Sequence, residues 1–310
     1  MISLREAIEQ YLTLRRDLGF KLTGAHYLLH QFAGFMEDQS ASFVTTDLAL
    51  HWAMLPRRAQ SSWWAQRLMA VRCFARHHRA TDPRTQVPPL DLLRFRPRRA
   101  RPYLYTEQDI ERLMAAAKLL RPDGGLRGLT YATLLGLLSV TGLRISEALS
   151  LRLADVDCQS GLLTIRNTKF GKTRLVPLHP SARRALVHYA RQRDAFVGRF
   201  PIQRFFVAAH GTPLTAQQVE KTFRLLRRRV GLHAAAQWDK PQLHHFRHRL
   251  ATESLLRWYR AGDDVEQRLP VLSTFLGHGS VASTYWYLSS QPELMVRAMR
   301  RLEQRWESSP

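Results

Sequence analysis

Arginine is the side chain that offers a planar pair of donors to a phosphate or carboxylate, and two arginines of this chain lie in motifs whose spacing draws notice. The first is Arg144 in Thr141-Gly142-Leu143-Arg144-Ile145-Ser146-Glu147-Ala148-Leu149. Gly142 can end one helix there, and Arg144 can begin another whose Ile145, Ala148 and Leu149 face inward, which would hold Arg144 close to a core. The same spacing also suits a surface arginine paired with Glu147 three residues on. The second is Arg247 in His244-His245-Phe246-Arg247-His248, where His244 and Arg247 share one face of a helical turn. His244 and His248 have the spacing of a zinc pair but lack the glutamate of HExxH and any nearby cysteine, so no metal is expected there.

Two further signals carry acids, bases or nucleophiles. Lys169, with Lys172 and Arg174 close behind, lies in a polar connection where a lysine is by itself no more than a solvated cation. Leu276-Gly277-His278-Gly279 precedes Ser283-Thr284-Tyr285-Trp286-Tyr287-Leu288, which offers two phenols, Tyr285 and Tyr287, in an aromatic run. Trp286 reads as core.

Something has to position these groups. Leu4, Ile8, Tyr11 and Leu12 form one apolar stripe and Leu28, Phe32, Phe35 and Met36 another, so the first hundred residues read as helices without strand signals. Phe95-Arg96-Pro97-Arg98-Arg99-Ala100-Arg101-Pro102 joins two prolines to four arginines, as an extended basic linker would. The expected division is therefore a helical domain over 1–95, a linker over 96–102 and a second domain over 103–310. Thr106 with Asp109 opens the second domain as a helix N-cap with an acidic first turn. Leu162–Ile165 and Thr173–Leu178 are short β-like runs, which makes the connection between them, Arg166–Lys172, a hairpin with lysines at its tip. Helical patterns then return, broken around Gly211-Thr212-Pro213, Gly231, Pro241 and Gly277. The fold class expected is mainly α with a small antiparallel β-sheet.

Charge narrows the partner. The 310 residues hold 47 Lys and Arg against 25 Asp and Glu, a formal net charge of +22. Up to Pro102 the balance is 16 basic to 8 acidic, so both domains carry a surplus. A polyanion is the partner such a surface favours, and double-stranded DNA fits because neutralising phosphates releases condensed counterions. The N-terminus shows neither a basic amphipathic anchor nor a lipidation signal, and the longest apolar stretch, Leu129–Leu143, is too short to span a bilayer, so no membrane partner and a cytoplasmic setting are expected. Cys73 and Cys158 are too few for a disulfide framework and read as reduced thiols.

In their order and mutual spacing the motifs resemble the tyrosine recombinase (phage integrase) family, over roughly Tyr103 to Leu288. The family's TGLRxSE-type motif is matched at Arg144, its hairpin lysine at Lys169, its HxxRH box at His244, Arg247 and His248, and its LGH with a tyrosine nine residues beyond at His278 and Tyr287. Tyr287 has the family spacing and Tyr285 does not. Lys172 competes with Lys169.

The resemblance implies a site-specific recombinase or integrase of a mobile element or phage, folded as a two-domain DNA clamp. A helical, SAM-like core-binding domain would precede the catalytic domain. Tyr287 would be the nucleophile, Arg144 and Arg247 would hold the non-bridging oxygens, His278 would support the same phosphate, and His244 would assist proton transfer. Lys169 would be the general acid. The product would be a 3′-phosphotyrosyl link, resealed without ATP, metal or other cofactor, by a homo-tetramer on paired DNA sites. The stretch Leu294, Met295, Ala298, Met299 and Leu302 keeps helical spacing, and in relatives such a tail docks on the next protomer; packing on its own domain fits the spacing equally. Two rivals share the motifs, a type IB topoisomerase-like relaxing enzyme and a non-catalytic DNA-binding module.

Overall fold

The computed structural model of the chain describes residues 2–93, 102–122, 125–166, 171–198, 202–208, 210–232, 240–288 and 292–307. Backbone contacts divide the chain into two compact units, Met1–Arg99 and Ala100–Pro310. The basic linker of the sequence reading, but for Pro102, lies outside the described residues, as does Lys169.

The first unit is helical: α1 (Leu4–Asp17), α2 (Thr23–Asp38), α3 (Thr46–Met54) and α4 (Ser61–His78). Ser3 and Glu6 close a reciprocal capping box at the start of α1, and Thr45 caps α3. The apolar stripes converge on one core, with Ile8 and Leu12 of α1 meeting Leu29, Phe32 and Met36 of α2, Trp52 of α3, and Val71 and Phe74 of α4. Phe35 is only half-buried at its edge. Arg67 enters this core, its guanidinium 3.7 Å over the Trp52 ring and Nη2 donating to the Trp52 carbonyl at 2.9 Å.

The second unit runs α5 (Glu107–Lys118), α6 (Leu126–Thr141), α7 (Ile145–Ser150), β1 (Val156–Asp157), β2 (Leu162–Ile165), β3 (Arg174–Pro177), α8 (Pro180–Val197), α9 (Ala216–Arg229), α10 (His245–Arg260), α11 (Val265–Leu276), α12 (Ala282–Tyr285) and α13 (Pro292–Glu307). Thr106 and Asp109 cap α5 reciprocally, as their spacing foretold. Helix α6 is apolar on all sides because it is the central helix, packed against α5, α8 and α10.

The fold is mainly α with a small antiparallel sheet, as expected. The sheet has three strands in the order β1-β2-β3, one more than the hairpin legible in the sequence. Leu162 pairs with Pro177 and Ile165 with Arg174, while the two-residue β1 joins through Val156 opposite Leu163. A run of two residues has no alternation to reveal it. Leu163, Ile165 and Val176 turn one face of the sheet into the core. Helix α13 packs on α10 within its own unit, burying Leu294 and leaving Met295 and Met299 exposed. Among the described residues, no helix is long and apolar enough to cross a membrane.

Candidate active site

Two left-handed glycines shape the site. Gly142 ends α6 at φ +59°, and a Cβ there would lie 2.9 Å from Leu250 Cδ2 and 3.1 Å from Leu276 Cδ2. Gly277 ends α11 at φ +69°, with Arg174 Nη1 only 2.5 Å from where its Cβ would stand. Glycine is needed at both places for the turn and for the close approach.

Arg144 follows the first turn as the N-cap residue of α7, and its side chain reaches the second. Nη1 donates to Glu147 Oε1 at 2.8 Å, and both Nη atoms lie 3.3 Å from the Gly277 carbonyl oxygen. Glu147 is buried, and it is shared: Arg174 donates to its Oε2 at 2.8 Å and its Oε1 at 3.2 Å, while the Arg174 Nε donates to the Phe275 carbonyl at 3.0 Å. Burial alone would push the Glu147 carboxyl up. Hydrogen bonds from Arg174, the Arg144 amide and the Arg144 side chain outweigh it and hold the group below the usual carboxylate range.

Arg247, on the first turn of α10, is 2% exposed. One Nη donates to the Gly142 carbonyl at 2.9 Å, and the other, Nη2, is buried with no hydrogen-bond partner in the protein. Burial lowers the guanidinium's pKa, against which the Tyr287 side chain helps to hold the charge.

Histidines and Tyr287 close the pocket. Tyr287, 3% exposed, follows α12 with its ring 5.2 Å from that of His248 and stacked at 5.9 Å on that of His278. Tyr285 points outward, 51% exposed. His278 Nδ1 lies 2.8 Å from Thr284 Oγ1, which fixes the ring. Burial and then the charges of Arg247, Arg144 and Arg174 push His278 down to about 4. His248 is pushed to about 3, first by burial and then by His244 and His245. His244, 4.5 Å ring to ring from His248, is lowered first by lost solvation and then by the charges of Arg247 and Arg144. His245 turns the other way: its Nδ1 accepts from the amides of Tyr103 at 3.2 Å and Gln242 at 3.3 Å, which makes it a structural histidine. The result is a compact site with fixed guanidinium charge, neutral imidazoles and one enclosed phenol.

The model of the phage integrase family matches residues 104–293. A protein named as an integrase/recombinase, y4rB of Sinorhizobium fredii, is 50% identical over 99% of both chains. The tyrosine recombinase XerD of Caulobacter vibrioides is 33% identical over 72% of this chain and 69% of its own. The chain belongs to the phage integrase family. Among solved structures, the Tn1549 transposon integrase in complex with transposon right end DNA covers 96% of this chain and 98% of its own, with a TM-score of 0.68 at 17% identity. The XerH recombinase on its palindromic difH substrate gives 0.64 at 17% identity over 90% of this chain. Those two likenesses speak for the fold. Family membership makes this integrase-family chain a tyrosine-type site-specific recombinase.

Within this integrase-family pocket, Arg144, His244, Arg247, His278 and Tyr287 come together from α6–α7, α10 and the segments after α11 and α12. Two participants escaped the sequence reading. In sequence Arg174 is only a cation behind Lys169, and nothing local in Thr173–Leu178 signals that it reaches Glu147 and the Phe275 carbonyl. Thr284, fully buried, holds His278 from six residues away.

Proposed function

We propose that this recombinase cleaves duplex DNA with Tyr287 and reseals it through the same residue. The phenol oxygen attacks phosphorus, the bond from phosphorus to the 5′-oxygen breaks, and a 3′-phosphotyrosyl link and a free 5′-hydroxyl result. The observation that carries the reading is the enclosure of Tyr287 between His248 and His278 beside a buried Arg247 with an unfilled donor.

Arg144 and Arg247 stabilise the charge that accumulates on the non-bridging oxygens, with His278 on the same phosphate. His244 assists proton transfer near the tyrosine, and Lys169 protonates the leaving 5′-oxygen. Glu147 and Arg174 touch no substrate atom in this scheme and act by positioning Arg144. The reaction conserves one phosphodiester throughout, so it draws on neither ATP nor metal. Double-stranded DNA is the partner, bound by the helical core-binding unit and by the catalytic unit, and four protomers act on two sites. Relatives named as integrases and the transposon integrase likeness support work for a mobile element.

The test is a nicked suicide duplex carrying the DNA that flanks the gene. The protein is expected to form a covalent adduct that Tyr287→Phe abolishes and Tyr285→Phe retains. An adduct that survives Tyr287→Phe overturns the assignment.

A further inference from the structure

Away from the catalytic unit, one group of described side chains brings metal-ligating atoms together: Glu9 on α1 with His26 and His30 on α2, all within 4.8 Å of one another. His26 and His30 stand four apart and therefore on one face of α2. Their rings meet edge to face with centroids 4.3 Å apart. Glu9 comes from the neighbouring helix and sets Oε1 2.8 Å from His30 Nε2.

The Glu9 carboxylate already pairs with one ring nitrogen of His30, whereas His26 Nδ1 is buried and without a hydrogen-bond partner. A ring nitrogen removed from water and left unpaired is unfavourable, and a cation accepting its lone pair between the neighbouring imidazole and carboxylate removes the defect. We infer that Glu9, His26 and His30 form a binding site for a divalent zinc-type metal ion, with water completing four-coordination.

The donor set decides the class of ion. Two imidazoles and one carboxylate suit a borderline transition metal and disfavour magnesium and calcium, which take oxygen ligands. Metal–ligand bonds of about 2.0–2.2 Å place tetrahedral ligand atoms roughly 3.4 Å apart. The separations here reach from 2.8 Å to at most 4.8 Å, so small side-chain rotations suffice. The Glu9 and His30 side chains remain 47% and 27% exposed, which leaves a path for entry and a place for the water. A bound ion would fasten α1 to α2, a structural role in the first unit that is independent of the phosphoryl chemistry. The histidines of the catalytic pocket are poorer competitors, because Arg144 and Arg247 stand beside them.

The experiment uses the full-length chain, free of any polyhistidine tag and stripped with chelator. Titration calorimetry with zinc is expected to show one tight equivalent, and cobalt to give the absorption of a tetrahedral ion. Zinc should raise the midpoint of thermal unfolding. His26→Ala and His30→Ala should each weaken binding at least tenfold, and Glu9→Gln, at a half-exposed position that leaves the helices intact, should weaken it while abolishing the thermal shift. Absence of a tight equivalent in the parent protein overturns the inference. So does binding that Glu9→Gln and the histidine variants leave unchanged, which would send the ion to other histidines.

Discussion

Arg247 is among the largest fully buried side chains of the protein, and a guanidinium so deep is tolerated only where acceptors meet it. It donates to a peptide carbonyl with one nitrogen and keeps another in reserve, a donor already oriented before any phosphate arrives. Glu147 balances the other two cations. Glu147→Gln keeps the shape of the side chain but leaves Arg174, whose side chain is 8% exposed, without its counter-charge. The catalytic unit should lose about 3 kcal/mol, read by urea denaturation. Because the Glu147 carboxyl sits below its ordinary range when folded, its contribution is complete above the unfolded carboxylate pKa and fades as pH falls through the folded one. The urea midpoint of the parent should therefore drop on acidification, with a shallower dependence in Glu147→Gln. The histidines run a parallel course from a higher starting point. His278 at about 4 and His248 at about 3 lie below the unfolded value of about 6.5, so the unfolded chain takes up protons first. Their share of stability is whole above about pH 6.5 and erodes as pH falls toward 4. In a magnetic-resonance titration both rings should stay neutral down to about pH 5; a His278 that titrates near 6.5 would contradict the electrostatics described here.

Elements bring these residues together through turns more than through faces. Gly277→Ala would force a non-glycine residue to φ +69° and drive its Cβ into the Arg174 guanidinium. A loss of roughly 2 kcal/mol is expected, together with slower DNA cleavage because Arg144 loses its carbonyl anchor. Unchanged stability and rate would mean that the turn is not what holds the two arginines. The same elements show why some of the molecule was legible in sequence. Helix stripes such as Ile8, Tyr11 and Leu12, the Thr106–Asp109 cap and the Gly142 stop are local patterns, and local patterns survive in one dimension. The five clustered pocket residues were legible for a different reason: each sits in a short motif whose order and spacing could be matched. Arg174 and the Glu9, His26 and His30 cluster were not. Arg174 meets Glu147 across 27 positions, and Glu9 lies on a different helix from its histidines, so only the packing of elements reveals either. Strand β1, two residues long, exists because β2 offers it an edge.

At the scale of the molecule the surplus of cations sets how DNA is met. A net charge of +22, spread over both units, should make affinity for a random-sequence duplex fall steeply with salt. In fluorescence anisotropy a log–log slope steeper than about −5 is expected, as for six or more neutralised phosphates. A slope near −1 would mean that the charge faces solvent and takes no part in holding DNA. The arginines of the pocket bear on how such a protein varies through time. Arg247 leans on the carbonyl of Gly142, Arg144 on that of Gly277, and Arg174 on that of Phe275. No codon change deletes a peptide oxygen. Apart from Glu147, which two of these arginines share, the inherited vulnerability of the guanidinium forks therefore concentrates in the two glycines that bend the chain where Arg144 and Arg247 find their oxygens.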